Sequence, residues 1–324
     1  MLAKKEKVNR VRLDRDFKLS EYFVVFGLIA MCILITIFKP VFISPANLIN
    51  VLLQIAINGV LAIGLTMVII TGGIDLSVGS VVCLSGVSMG LITEQMGVDR
   101  PITAVVCIIA ALVIGTLAGA INGTLITKGK LPPFIATLGM MSIARGMALT
   151  LSGGKGVSPL PKFIQTLGGT NAIFVPIAIM LFVYLVAWWL LRYTKLGRNT
   201  YAVGGNQEAA ILSGINVHKT TVKVYGISGL CCGVASILLV GRLNTAQPTA
   251  GIGYELDAIA ATVIGGTSMT GGEGKIIGTL IGALIIGVLR NGLNLLNVSS
   301  YIQQVVIGLV IILAVLSDTI RDKK

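Results

Sequence analysis

The chain has 324 residues, of which 55% are hydrophobic and only 12% charged, roughly half the charged share of a soluble domain. Apolar runs of about 17–25 residues, the length of a bilayer-crossing helix, recur from end to end; they exclude a sizeable soluble domain and leave one polytopic membrane domain. The formal net charge of +12 does not point to nucleic acid, because Lys and Arg gather in particular loops, and the five cysteines lie in apolar runs with only His218 as a histidine, which gives no metal-ligand spacing.

Residues 1–21 are polar and mostly basic, and no small-residue cleavage site follows the next apolar run, so no removable signal peptide is expected. The first span covers about Tyr22–Phe38 and ends at Lys39-Pro40. Ser44-Pro45-Ala46-Asn47 is a turn that restarts helix, and the second span covers about Leu48–Ile70. Thr71 to Ser80 then puts three glycines, a carboxylate and three hydroxyls into apolar sequence. The backbone is expected to break there, with Asp75 capping a short third span, Leu76–Leu91. Non-helical backbone at membrane depth is tolerated only under protein or beside a watery cavity, so this stretch either faces a translocation path or sits inside the bundle.

The fourth span, Ile102–Ile126, carries Gly115, Gly119 and Gly123 at four-residue spacing, a smooth stripe for close helix packing. The fifth covers Phe134–Leu151 and holds Arg145. Ser152–Thr170, rich in Gly and Pro, reads as a loop, and the sixth span covers Asn171–Leu191. The polar stretch 192–223 follows. Within it, Asn206 can cap a short helix through Glu208, Ala209 and Ala210, and Gly214 can end that helix in a left-handed conformation. A helix of about two turns is not stable alone, so it needs a docking partner. It reads either as the contact through which a membrane domain feels a motor protein or as an ordinary surface helix.

The seventh span covers Val224–Val240. A loop from Arg242 to Tyr254 leads to a short eighth segment, Glu255–Ile264, and to the glycine-rich run Gly265 to Lys275. The ninth and tenth spans cover Ile276–Leu289 and Tyr301–Leu316, and 318–324 is a polar tail. Ten spans, or eight with the third and eighth segments re-entrant, put both ends on one side. Of the 25 Lys and Arg, all but Arg145, Lys39, Arg100, Lys155, Lys162, Arg242 and Arg290 fall on that side, which is therefore expected to be cytoplasmic. Val68-Ile69-Ile70-Thr71-Gly72-Gly73 is echoed by Val263-Ile264-Gly265-Gly266, and broken helices at matching places in two halves point to a transport path.

No nucleotide site is visible, since Gly274-Lys275-Ile276 and Gly129-Lys130-Leu131 lack the hydroxyl residue of a phosphate loop. The intramembrane ionisable residues are Asp75, Arg145, Glu255, Asp257 and Arg290, and such residues are commonly functional or paired. Arg290 is expected to snorkel to an interface. Asp75 is a helix cap or an ion site, and Glu255 and Asp257 mark a wet loop end or an ion site. A membrane enzyme working without a partner is a further alternative.

Ile74 to Ser80, Phe134-Ile135-Ala136-Thr137-Leu138, Gly204-Gly205-Asn206 with Glu208-Ala209-Ala210 and Ser213-Gly214-Ile215-Asn216, Ala246 to Gly251, Gly253 to Ala261, and Asn291 to Leu296 together resemble the permeases of ribose-type ABC sugar importers, in the branched-chain amino acid/sugar permease family. The resemblance spans about residues 20–318. It implies an all-α ABC importer transmembrane domain over 22–317 that moves a monosaccharide, foremost ribose, through the bacterial inner membrane by alternating access. It implies a homodimer, a periplasmic or lipid-anchored sugar-binding protein, and partner ATPase subunits that carry the ATP and Mg, with no catalytic residue or cofactor in this chain. Asn206, Glu208, Ala209, Ala210 and Gly214 would form the coupling helix in the ATPase cleft. Asp75, Ser77, Asn122, Gln247 and Asp257 are the candidates for the path. The competing function is an ion-coupled secondary carrier using Asp75 or Asp257.

Overall fold

The computed structural model describes residues 24–170 and 172–322. The expected basic segment 1–21, Tyr22, Phe23, Asn171 and the last two residues lie outside them. The described residues form an all-helical bundle in which the one β contact is an isolated bridge between Val157 and Ala246. In chain order the helices are α1 (Val24–Phe38), a single 3-10 turn (Pro40–Ile43), α2 (Pro45–Ile70), α3 (Val78–Met96), α4 (Pro101–Thr127), α5 (Pro133–Ser152), α6 (Lys162–Leu167), α7 (Phe174–Tyr193), α8 (Lys195–Gly205), α9 (Gln207–Leu212), α10 (Val217–Leu243), α11 (Tyr254–Ile264), α12 (Ile276–Leu295) and α13 (Ser300–Asp322). Seven of them, α2, α3, α4, α5, α7, α10 and α12, are long and apolar enough to cross a membrane; α1 and the apolar part of α13 are shorter. With α11 these match the ten expected segments one for one.

Two helices make the centre. α2 is buried on every side from Ile55 to Ile70, as a helix apolar nearly all round must be, with Asn58 and Thr66 as its polar exceptions there. α10 is buried along most of its length against α2 and α4. The glycine stripe of α4 works as its spacing implied. A side chain at Gly115 would strike the backbone of Gly229, one at Gly119 the backbone of Tyr225, and one at Gly123 that of Val222. α4, α5, α7 and α13 instead turn large apolar side chains outward, among them Leu117, Ile143, Leu185 and Leu309, each more than half exposed. That is the pattern of a surface meeting lipid or another membrane chain.

Local sequence sets the boundaries. Ser44 caps α2, its hydroxyl accepting from the Asn47 N–H, with Pro45 at the first helical position. Three expectations need correcting. The segment 152–170 is not wholly loop, since Lys162–Leu167 forms α6. The stretch 192–223 holds a second helix, α8, capped by Thr194. It also holds the start of α10, capped by Asn216. Finally, α13 continues to Asp322 through residues expected as a polar tail.

Candidate functional site

Three helix ends use one backbone device. After α2, Gly72 takes φ +77°, its N–H donates to the Ile69 carbonyl at 2.8 Å, and the Gly73 N–H reaches Val68 at 3.2 Å. After α11, Gly266 takes φ +83°, its N–H donates to Val263 at 2.8 Å, and the Thr267 N–H reaches Thr262 at 3.2 Å. The echo read in the sequence is therefore a repeated glycine cap, in which a left-handed residue satisfies the last carbonyls of a helix. α9 ends the same way at Gly214, φ +79°, with the Ile215 N–H on Ala210 at 3.0 Å.

These devices converge at one end of the bundle. The Gly272 N–H donates to the Ile70 carbonyl at 2.8 Å, tying the second glycine run to the end of α2. Gly204, near the end of α8, lies against both, so that a side chain there would strike Ile70 O and Gly272 N. Tyr201 of α8 donates its phenol to the Gly274 carbonyl at 2.8 Å, and burial raises its pKa, keeping it a donor. α8 is thus clamped by backbone contact to both interruptions of the bundle, and α9 follows it after one residue. Sequence reasoning missed this clamp. Its trace was the Gly204-Gly205 pair just ahead of the Asn206 cap.

α9 forms as expected. Asn206 Oδ1 accepts from the Ala209 N–H at 2.8 Å, and Glu208 sits in the first turn, where the helix dipole favours a negative charge. Asn206, Glu208, Ala209 and Gly214 are exposed, while Ala210 is buried against this chain. Leu212 is 89% exposed and Ile211 55%. A short helix that presents two large apolar side chains beside a carboxylate is a docking surface by composition. Beneath it a cavity of about 570 Å³ reaches from Gln207 and Ile211 to Thr71, Gly73 and Tyr225 at the first interruption.

The five path candidates fall in three places. Asp75, Ser77 and Asn122 form one buried chain of hydrogen bonds. Asp75 Oδ1 accepts from the Ser77 hydroxyl at 2.6 Å and the Ser77 N–H at 3.0 Å, while Asn122 Nδ2 donates to the Ser77 hydroxyl at 3.0 Å. Ser228 donates to Asp75 Oδ2 at 3.3 Å, and Tyr225 donates to the Ile74 carbonyl at 3.1 Å. Asp75 and Ser77 are each 1% exposed and Asn122 is fully buried. The Asp75–Ser77 part of the break sits inside the bundle against α4 and α10, while Thr71 and Gly73 ahead of it line the cavity beneath α9. Asp75 thereby holds the turn just ahead of α3, which starts at Val78.

Asp257 lies elsewhere, at the start of α11, and is not at a wet loop end. Arg290 of α12 grips it with two bonds, Nε to Oδ2 at 2.6 Å and NH2 to Oδ1 at 2.7 Å, and Asn58 of α2 adds Nδ2 to Oδ2 at 3.3 Å. The expectation that Arg290 snorkels is therefore wrong. α12 extends past it to Leu295, which turns its side chain back into the bundle, where a bidentate carboxylate outweighs partial access to an interface. Gln247 is exposed in the segment between α10 and α11, near Gly156. Arg145, from inside α5, ties down the same segment, NH1 donating to the carbonyls of Pro248 at 3.0 Å and Ala250 at 2.7 Å. Among the described residues no group of three or more His, Cys, Asp or Glu is placed to hold a metal ion.

The arrangement is a helical membrane body with two glycine-capped interruptions and a small exposed helix, α9, that follows the helix clamped to both. The model of a known family, the permease component of branched-chain amino acid transport systems, matches residues 47–315. The chain belongs to that family. The match runs from α2 into α13 and so takes in both interruptions, α8 and α9 of this chain. The ribose import permease protein RbsC of Escherichia coli (strain K12) is 47% identical over 303 residues, covering 90% of this chain and 92% of that protein. The protein of the same name from Bacillus subtilis (strain 168) is 46% identical over 331 aligned positions, 98% of each chain. The D-allose transport system permease protein AlsC of Escherichia coli (strain K12) is 39% identical over 287 residues, 87% of this chain and 86% of that protein. No solved structure matches the chain significantly.

Proposed function

We propose that this chain is the membrane-spanning permease subunit of an ATP-binding-cassette importer that carries a monosaccharide, ribose, into the cytoplasm. The observation that carries the reading is the identity of nearly half of all positions to ribose import permeases across almost the full chain. ATP and Mg act on separate ATPase subunits, a soluble or lipid-anchored binding protein delivers the sugar, and two copies of the chain make the membrane unit. The protein sits in the inner membrane of a bacterium with both termini cytoplasmic, a placement supported by the bias of Lys and Arg to the loops on that side.

In this reading α9 is the coupling helix, with Asn206, Glu208, Ala209, Ala210 and Gly214 as its working residues. The exposed Ile211 and Leu212 meet the motor. Movement of α9 passes to α8, and from Gly204 to the ends of α2 and the second glycine run. That gives the motor a direct hold on both interruptions of the bundle, the bistable element that alternating access requires. Asp75, Ser77, Asn122 and Asp257 then act as the struts that keep the interruptions in shape, and Gln247 sits toward the outer mouth.

The test is uptake of labelled ribose into proteoliposomes holding the chain with its ATPase and binding protein. Uptake that needs ATP and ignores ionophores is expected. Uptake driven by an ion gradient without ATP would overturn the reading in favour of a secondary carrier. Gly214→Pro forces φ to about −65° where the chain needs +79°, so it is expected to abolish ATP-driven uptake while the protein still reaches the membrane. Wild-type uptake by that variant would remove α9 from the coupling role.

A further inference from the structure

A cleft of about 420 Å³ opens between α3, α5 and the start of α11, lined by Ser80, Ser142, Arg145, Ile252 and Glu255. None of the buried path candidates lines it. Arg145 and Glu255 are only partly buried, and Ser142 is exposed, along with Gly146 and Leu149 on the same face of α5. Charged groups opening onto lipid would be expensive, so a face carrying both signs of charge borders water or protein.

The two charged groups are held in place before any ligand arrives. Arg145 NH1 is fixed by the Pro248 and Ala250 carbonyls. Glu255 Oε1 accepts from the Gly253 N–H at 3.3 Å. Ser80 lies in the first turn of α3 and Glu255 in the first turn of α11. α3 begins just after the first interruption and α11 runs into the second, and broken helices are where transport folds hold their cargo. The cleft offers a guanidinium that only donates, a carboxylate that accepts, and hydroxyls that do both. A row of sugar hydroxyls, each donor and acceptor at once, is complementary to that set. No aromatic ring lines the cleft, so the hold is by hydrogen bonds without stacking, which suits a station that must release its cargo.

We propose that this cleft is a sugar-handling station on the translocation path, where Glu255 accepts and Arg145 donates hydrogen bonds to the hydroxyls of a passing monosaccharide. The proposal rests on the sugar-importer reading given above. Arg145 also braces the 248–250 segment, so the test uses Glu255→Gln and Ser142→Cys instead. In reconstituted transporter, Ser142→Cys is labelled by a positively charged methanethiosulfonate. Leu185→Cys, on the outward face of α7, is the control, and unmodified protein gives the background from the native thiols. Labelling of Ser142→Cys is expected to be at least about tenfold faster than the control, and slowed when ribose and ATP drive transport. Glu255→Gln is expected to carry about tenfold less ribose per ATP hydrolysed, because a charge-assisted bond is lost. Equal labelling at the two positions, or an unchanged ratio in Glu255→Gln, would overturn the proposal. Absence of ribose uptake by the unmodified transporter would instead strike the ribose reading, while equal labelling, a result that needs no sugar, would still overturn the cleft.

Discussion

The stretch joining α2 to α3 and the stretch joining α10 to α12 solve the same problem with different chemistry. Each interrupts helix inside the bundle, Gly72 closes α2 and Gly266 closes α11 with left-handed backbone and the same pair of hydrogen bonds, and each stretch carries a buried aspartate, Asp75 and Asp257. Asp75 is held by neutral partners, two hydroxyls and a backbone N–H, with no cation among its hydrogen-bond donors. Asp257 is gripped by a guanidinium from a helix 33 residues further on, with an amide from α2 beside it. The first arrangement ties a loop to itself and to its cover. The second pins α11 to α12 and α2. An intramembrane carboxylate is thus a brace of either kind, and the partner across the fold decides which.

The largest expected effect is at the ion pair. Asp257→Ala leaves the Arg290 guanidinium without its carboxylate in the bundle, and breaking a buried pair from one side costs about 3–5 kcal/mol. The purified variant in detergent is expected to unfold at a clearly lower temperature than the parent. Asp257→Leu combined with Arg290→Met removes both charges and should recover most of that loss, because apolar side chains fill the space without a stranded ion. A double variant as unstable as Asp257→Ala would mean that packing of α11, and not the pair, sets its stability.

The next effect probes what the two interruptions share. At Gly204 any side chain meets the Ile70 carbonyl and the Gly272 N–H, and both belong to backbone. Gly204→Val must therefore push α8 away from both stretches, at about 1–3 kcal/mol of overpacking. ATP-driven uptake is expected to fall by more than about tenfold with the protein still folded. Gly205→Ala, next along the chain, meets nothing within 4 Å and serves as the neutral control. Equal uptake by the two variants would uncouple α8 from the interruptions.

Much of this was legible in the residues, and the reason is local. Apolar runs, the Ser44-Pro45 start, the four-residue glycine spacing of α4 and the Asn206 cap each act within a few positions, so the ten segments and α9 could be read directly. What could not be read depends on partners far apart in sequence. Nothing near Arg290 announces Asp257, and a charge near the end of an apolar run looks the same whether it snorkels or turns inward. Asp75, Ser77 and Asn122 were grouped with Gln247 and Asp257 because all are polar in an apolar setting. Only the fold separates a covered strut from an open surface. That Arg145 and Glu255 line one cleft was missed for the same reason.

The smallest effect sharpens the contrast most. Asp75→Asn keeps the oxygen that accepts from the Ser77 N–H and hydroxyl, and the new amide faces Ser228, whose hydroxyl turns to accept. No charge is stranded, so the expected cost is about 1 kcal/mol, the scale of one net hydrogen bond, well below that of Asp257→Ala. Thermal unfolding in detergent measures this difference, and uptake in proteoliposomes gives it meaning. Near-parental stability together with retained ATP-driven uptake is expected, because a strut needs the shape of the carboxylate and not its charge. Near-parental stability with uptake lost would make the charge itself the working part, and Asp75 would then be an ion-binding residue of a different kind of transporter.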